Sequence, residues 1–338
     1  MKSPKIIAAA LAACSLVLSL TACAGDDTTG SPSATTTDTA KTSFTVAAAV
    51  IVQHPSLQMI RDGFADVLAE KGIEVTYIDE NANGDGNTVV TIANQFKDNA
   101  KIDLILAIST PIAQAIVKVE QDRPILYAGI TDPVVAKLVP FIDKASGTNV
   151  AGTSDLNPNG KPVELITQVL PDAKKIGVIY TSSEPNSLVQ VENYKAEAAP
   201  LGVEIVEAAI TNSSELAIAL ATLSDVDAIL VPTDNNVVAG ISAVIGYGEQ
   251  NQIPVFTADA ESVVLGTVAS RGVSYYQMGR DTGEMAYQIL VQGVDIATVP
   301  CQVTQDTTLF INLEAAAAYG VTIPDAVQAG ATVVKTER

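Results

Sequence analysis

The chain has 338 residues, 48% hydrophobic and 17% charged, with 38 acidic residues against 19 basic ones and a formal net charge of −19. That apolar content is enough for two lobes with cores of their own, and the acidity argues against nucleic acid and against adhesion to anionic lipid. One histidine and three cysteines leave too few nitrogen and sulfur ligands for a metal site, and only His54 as the base of a nucleophilic triad.

The first 22 residues read as a secretory leader. Lys2 and Lys5 form a short positive region, residues 6–20 are an apolar run, and Leu20-Thr21-Ala22-Cys23 follows. The run is too short for a committed membrane span. The tetrapeptide has the form of a bacterial lipobox, whose cysteine takes a lipid; an ordinary secretory peptide cleaved nearby is the plainer alternative. Leu11-Ala12-Ala13-Cys14 has a similar form but lies inside the apolar run. Cleavage before Cys23 removes two lysines and no acid, so the remaining chain is more acidic still. Residues 23–43 are rich in Thr, Ser, Ala, Asp and Gly. Such a segment buries too little to offset chain entropy, so a disordered tether is expected. With Cys23 acylated, Cys301 is left without an internal disulfide partner and reads as a small buried hydrophobe.

Beyond the tether, apolar strands alternate with amphipathic helices. Residues 44–52 are almost continuously apolar, as in a parallel strand covered on both faces. A helix is expected over 56–71, with Leu57, Ile60, Phe64, Val67 and Leu68 on one face and Gly72 at its end. Strand 74–78, helix 86–100, strand 104–108, helix 111–119 and strand 124–128 follow. Gly84-Asp85-Gly86 lacks the third glycine of a dinucleotide fingerprint and follows the second strand, so it is discounted.

The pattern then restarts with helix 162–170 and strand 175–180. Helix 187–199, closed by Pro200 and Gly202, strand 203–208, helix 214–223, strand 228–231, helix 236–247 and strand 253–257 complete it. A strand-like stretch at 266–273 leads to helix 277–291, then strand 308–312 and helix 313–319. These last elements are too few for a third domain. The expected architecture is two similar doubly wound parallel-sheet lobes, 44–155 plus about 275–300 and 156–274 plus about 301–338. Three chain crossings between them make a hinge, and the carboxyl ends of both sheets surround one cleft.

Several stretches carry a family resemblance. They are Val52-Gln53-His54-Pro55-Ser56-Leu57 with Gly63-Phe64, Ser109-Thr110-Pro111-Ile112-Ala113-Gln114, and Thr131-Asp132-Pro133. Asn149-Val150-Ala151-Gly152-Thr153-Ser154-Asp155, Val231-Pro232-Thr233-Asp234-Asn235 and Tyr275-Tyr276-Gln277-Met278-Gly279-Arg280 continue the series. In order and spacing, from about residue 44 to 323, the chain resembles the ABC-transporter substrate-binding lipoproteins of the tryptophan/tyrosine type, with the type I periplasmic binding fold. The resemblance implies an importer with a separate permease and ATPase, and an aromatic or related amino acid as ligand. A second lobe poor in aromatics and the absence of Trp are departures.

An amino-acid zwitterion needs donors for its carboxylate and a carboxylate for its ammonium. Ser109-Thr110-Pro111, at a strand end and a helix start, suits the carboxylate, although Ser109 or Thr110 reads equally as an N-cap. Asn186-Ser187 is the second-lobe candidate for the same group. Asp132, Asp234 and Asp259 all follow strands and are candidates for the ammonium, with Thr233 and Asn235 beside Asp234; each Asp also suits a turn or cap. Gln53 and His54 follow the first strand, where they fit either a site or a loop. No nucleophile elbow, metal cluster or paired acid and base is found, so no catalysis, cofactor or metal is expected. The expectation is a monomeric, membrane-anchored extracytoplasmic receptor. A sensor presenting a sugar or nucleoside to a membrane receptor is the alternative.

Overall fold

The computed structural model describes residues 43–158, 160–304 and 307–337. The expected leader, Cys23 and the tether up to residue 42 lie outside the described residues. The first apolar runs become β1 (Ser43–Val50), β2 (Glu74–Asn81), β3 (Leu104–Ile108), β4 (Ile125–Ile130) and β5 (Val150–Ser154). Between them run α1 (Pro55–Glu70), α2 (Gly86–Asp98) and α3 (Thr110–Val119). All pairings here are parallel, in the order β2-β1-β3-β4-β5. β3, at the centre, is buried along its whole length, whereas the edge strand β2 alternates in exposure, as neighbours on one side or both dictate.

The second half repeats the plan. α4 (Pro162–Val169), β6 (Lys175–Thr181), α5 (Pro185–Leu201), β7 (Glu204–Ile210), α6 (Leu216–Ala221) and β8 (Ala228–Val231) lead to α7 (Asn235–Ala239), α8 (Ile241–Asn251) and β9 (Val255–Thr257). Their sheet, β7-β6-β8-β9, is again parallel and in the same order. The helix expected over 236–247 is broken at Gly240, where a β-carbon would stand 2.3 Å from Leu216 Cδ1. α5 runs through Pro200 and ends at Gly202, in left-handed conformation with φ 68°, which glycine adopts freely.

β10 (Ala269–Val273) leads into α9 (Tyr275–Leu290), which returns to the first lobe and lies along α1. The contact is backbone against backbone. A β-carbon at Gly63 would lie 2.2 Å from the Tyr276 carbonyl oxygen, and one at Gly279 2.2 Å from that of Ile60. β11 (Gln302–Val303) then adds to β5, so the third crossing falls after residue 303 rather than at 301. The remaining β12 (Thr307–Asn312), α10 (Leu313–Ala318), α11 (Asp325–Gln328) and β13 (Thr332–Val334) belong to the second half. There β10, β12 and β13 make a small mixed sheet. The halves are therefore alike in their parallel sheets but not in this addition. Each has its own apolar core, and Cys301 is buried in the first.

Candidate ligand-binding cleft

In both parallel sheets the strand order reverses at the first strand, between β1 and β3 and between β6 and β8. Crevices at the carboxyl ends of such strands are where open α/β sheets take ligands. The loops leaving those ends meet between the lobes. They enclose a cavity of about 20 Å³ lined by His54, Thr131, Asp155, Asn186, Thr233, Asn235, Asp259 and Tyr275, among others. A chamber of about 430 Å³ adjoins it. The chamber shares Thr131, Asp155, Thr233 and Tyr275 with the cavity and extends past Gln190 and Tyr194 to Leu156, Pro162 and Arg271.

Direct contacts join the lobes across this cleft. The Thr131 and Thr233 hydroxyls are 3.3 Å apart, and Gln190 Nε2 reaches both, at 3.5 and 2.6 Å. Ser56 Oγ donates to Glu261 Oε2 at 3.2 Å, and the His54 side chain has Asn235 as hydrogen-bond partner. The lobes are thus closed on each other, yet the enclosed cavity is not satisfied. Asp155 Oδ2 accepts from the Tyr275 hydroxyl at 3.0 Å, but Oδ1 has no partner. Asp259 Oδ2 accepts from Ser262 N at 2.9 Å and its Oγ at 2.6 Å, while Oδ1 again has none. Asn186 donates Nδ2 to Glu184 Oε2 and to the Thr233 carbonyl, both at 3.0 Å, leaving Oδ1 bare. His54 Nδ1 is bare as well. A buried polar atom without a partner costs about 1–3 kcal/mol, and four such atoms surround one cavity, which makes it the candidate site.

Burial pushes the Asp155 and Asp259 carboxyls up from their ordinary range. Burial, then Asp259, raises Glu261 to about 7, and burial, then Asp234, raises Glu184 to about 8. Burial lowers His54 to about 4, against its bond to Asn235. Of these groups Asp155, Asp259 and His54 line the cavity, which has no Lys or Arg in its wall, whereas Lys161 and Arg271 line the chamber. Among the described residues no group of three or more His, Cys, Asp or Glu side chains is placed to hold a metal ion.

His54, Asn186, Thr233, Asn235 and Asp259 come together at the cavity. The other sequence candidates stand elsewhere. Gln53 is exposed and bonds Gln58 at 3.5 Å. Ser109, at φ 83°, is turned inward and accepts from Ile51 N at 3.3 Å. The Thr110 hydroxyl is buried without a partner, and Pro111 fills the first turn of α3; none of these three lines the cavity or the chamber. Asp132 Oδ1 accepts from Val134 N and Val135 N, both at 2.9 Å. Asp234 is saturated: Thr181 N, Thr181 Oγ1, Ser187 Oγ and Val237 N donate to it at 2.5–2.9 Å. It has no acceptor position left for a ligand, and Ser187 is committed to it.

Thr131, Asp155, Gln190 and Tyr275 are among the cleft residues that strand ends and helix starts in the sequence did not single out. The signal for Asp155 was its place after a strand. That strand, β5, is hidden by small residues: Gly152 is required because a β-carbon there would lie 2.1 Å from the Tyr127 carbonyl oxygen. Thr131 stands next to Asp132, and Gln190 and Tyr275 lie inside helices, where no strand-end rule points.

A family model described as ABC transporter substrate binding protein matches residues 45–335. The tyrosine-binding protein of Clostridioides difficile (strain R20291) is 36% identical over 319 residues, covering 92% of this chain and 91% of that one. An ABC domain from Streptococcus pneumonia, solved in complex with L-Trp, is 35% identical with a TM-score of 0.82, over 86% of this chain and 99% of that one. The ligand-free, open structure of a substrate-binding protein with adhesive properties from Clostridium difficile is 37% identical over 87% and 100%, but its TM-score is only 0.64. At nearly equal identity, this closed arrangement matches the ligand-bound structure better than the open one.

Proposed function

Because the chain belongs to the ABC transporter substrate-binding protein family, a family of binding proteins rather than enzymes, we propose that it captures an aromatic L-amino acid, tyrosine or tryptophan, for an importer. Capture takes place between the lobes, which close over the ligand about the three chain crossings that follow β5, β10 and β11. The protein works outside the cytoplasm as a monomer, held to the membrane by lipid on Cys23, and hands its ligand to a permease.

The observation that carries this reading is the set of unpartnered acceptors Asp155 Oδ1, Asn186 Oδ1 and Asp259 Oδ1 around one enclosed cavity. A primary ammonium has three N–H donors and no acceptor, and 20 Å³ admits a group of about the size of a water molecule. The hydroxyls of Thr131 and Thr233 stand where cavity meets chamber, as donors for the α-carboxylate. The chamber beyond, walled by Leu156, Pro162, Tyr194 and Val273, accommodates an aromatic side chain. Ligand contacts to both lobes supply the differential affinity that favours closure. A thermal-shift screen of the purified protein against amino acids, sugars and nucleosides tests this, since only a bound ligand raises the melting temperature. Stabilisation by L-tyrosine or L-tryptophan is expected; stabilisation by sugars or nucleosides alone refutes it.

A further inference from the structure

Glu184 stands at the start of α5 and is 2% exposed, yet it lines neither the cavity nor the chamber. Its Oε2 accepts three hydrogen bonds: from Asn186 Nδ2 at 3.0 Å, Asn235 N at 3.2 Å and Asn235 Nδ2 at 2.6 Å. Oε1 accepts from Asn236 Nδ2 at 3.1 Å. A carboxamide carries donors on one arm and its acceptor on the other. Once the nitrogen is committed, the oxygen has to face the opposite way. Asn186 has both donors engaged, by Glu184 and by the Thr233 carbonyl, and its oxygen is buried against the cavity without a partner. Asn235 turns its nitrogen to Glu184 and has His54, on the opposite lobe, as a further side-chain partner.

We propose that Glu184 is a positioning residue: by consuming the amide nitrogens of Asn186 and Asn235 it turns both amide oxygens toward the cleft, so that this wall presents acceptors only. Such a wall rejects a ligand that offers an acceptor there and selects one with an N–H-rich head. It also presets the Asn235 side chain for His54 when the lobes close. The three contacts that matter all fall on Oε2. A proton on Glu184 would therefore sit on Oε1, where Asn236 can turn its amide oxygen to receive it, and the orientation of Asn186 and Asn235 survives. The choice of an ammonium as that head rests on the function proposed above; the orientation of the two amides does not.

The same logic sets the test. Glu184→Gln keeps one oxygen in the place of Oε2 and puts its nitrogen at Oε1, whereas Glu184→Met fills nearly the same volume with no strong acceptor. Two readouts on purified protein are compared: the affinity ratio of L-tyrosine over 3-(4-hydroxyphenyl)propanoate, which lacks the amine, and the hydrogen-exchange rate of the Asn235 side-chain NH2 in the ligand-free protein. Removing the oriented acceptors should lower the ratio by about tenfold or more in Glu184→Met, with NH2 exchange faster by a similar factor. Glu184→Gln should hold both within about threefold of wild type, inside the scatter of such measurements. A folded Glu184→Met with wild-type ratio and exchange overturns the proposal, and so does a folded Glu184→Gln that loses both. Should Glu184→Met fail to fold, the Gln arm decides alone. If the wild type binds neither compound, the ligand assignment fails separately, and NH2 exchange, which involves only the second lobe, still decides whether Glu184 orients the amides.

Discussion

Replacing Asp155 by Asn tests the cleft where its chemistry is most exposed. The substitution preserves shape and leaves one oxygen for the Tyr275 hydroxyl, which Asp155 Oδ2 now accepts at 3.0 Å. The other arm becomes an NH2 group pointing where Oδ1 stands unpartnered. In the complex that arm meets an ammonium, so an attractive charge pair is replaced by two facing donors. Losing the buried partner of a charged group costs about 2–5 kcal/mol, or between about one and a half and three and a half decades of Kd at 1.4 kcal/mol per decade. The ligand-free protein should respond in the opposite sense. Asp155 is 7% exposed and burial pushes its carboxyl up against the opposing hydrogen bonds of Thr131 and Tyr275, so removing the charge relieves a desolvation cost. Calorimetric titration with L-tyrosine and thermal melts of the ligand-free variant read the two effects apart. Weaker binding with unchanged or higher stability is expected. Wild-type affinity would refute the placement of the ammonium at Asp155, and a sharply lowered melting temperature would refute the view that burial outweighs the hydrogen bonds Asp155 accepts.

Asp234→Ala should behave otherwise: it strands four donors, each a loss of about 1–3 kcal/mol if left unmet, so the ligand-free melting temperature should fall steeply, as a denaturation curve will show. Gly279→Val places a β-carbon 2.2 Å from the Ile60 carbonyl and should cost about 1–3 kcal/mol by overpacking the α1–α9 seam, read as a lower denaturant midpoint with the ligand site intact. Stability should fall between pH 6.5 and 8. Glu184 and Glu261 are raised from 4.5 to about 8 and about 7, so the stability they contribute is complete below 4.5 and is lost as pH rises through those values. His54, lowered from 6.5 to about 4, acts the other way only below 6.5, so melting scans above that pH isolate the acids. Buried Glu184 alone should account for at most about 2 kcal/mol of the decline, and Glu184→Gln should flatten it. Cys23→Ala should release the protein from the membrane fraction or leave an unprocessed precursor; unchanged fractionation would discard Cys23 as the anchor.

Much of the fold is legible because burial on both faces of a central strand leaves an unbroken apolar run. β3 and β8 begin and end where the sequence pattern puts them, at 104–108 and 228–231. β5 is not legible, since Gly152, Thr153 and Ser154 suit a strand only in the company of Tyr127 and the core behind it. Nor is the small mixed sheet, whose strands pair across residues far apart in the chain. Strand ends located part of the cleft, including His54, Asn186, Thr233 and Asp259. They do not reveal which polar atoms are already spent. Asp234 and Asp259 follow strands alike, but one is closed off by Thr181, Ser187 and Val237, while the other keeps an oxygen free. Ser109 lies past β3 as expected of a ligand residue, and only the tertiary fold shows its hydroxyl occupied by Ile51. Whether a side chain is consumed internally is a property of the packed structure, not of its position along a strand.

The position of the ligand is decided by a crystal structure of the protein with L-tyrosine. The lobes should be closed, with the ligand nitrogen about 3 Å from Asp155 Oδ1, Asn186 Oδ1 and Asp259 Oδ1 and the ring in the chamber beside Tyr194. A ligand bound with its carboxylate against those oxygens, or lying outside the space between Thr131 and Thr233, would contradict it.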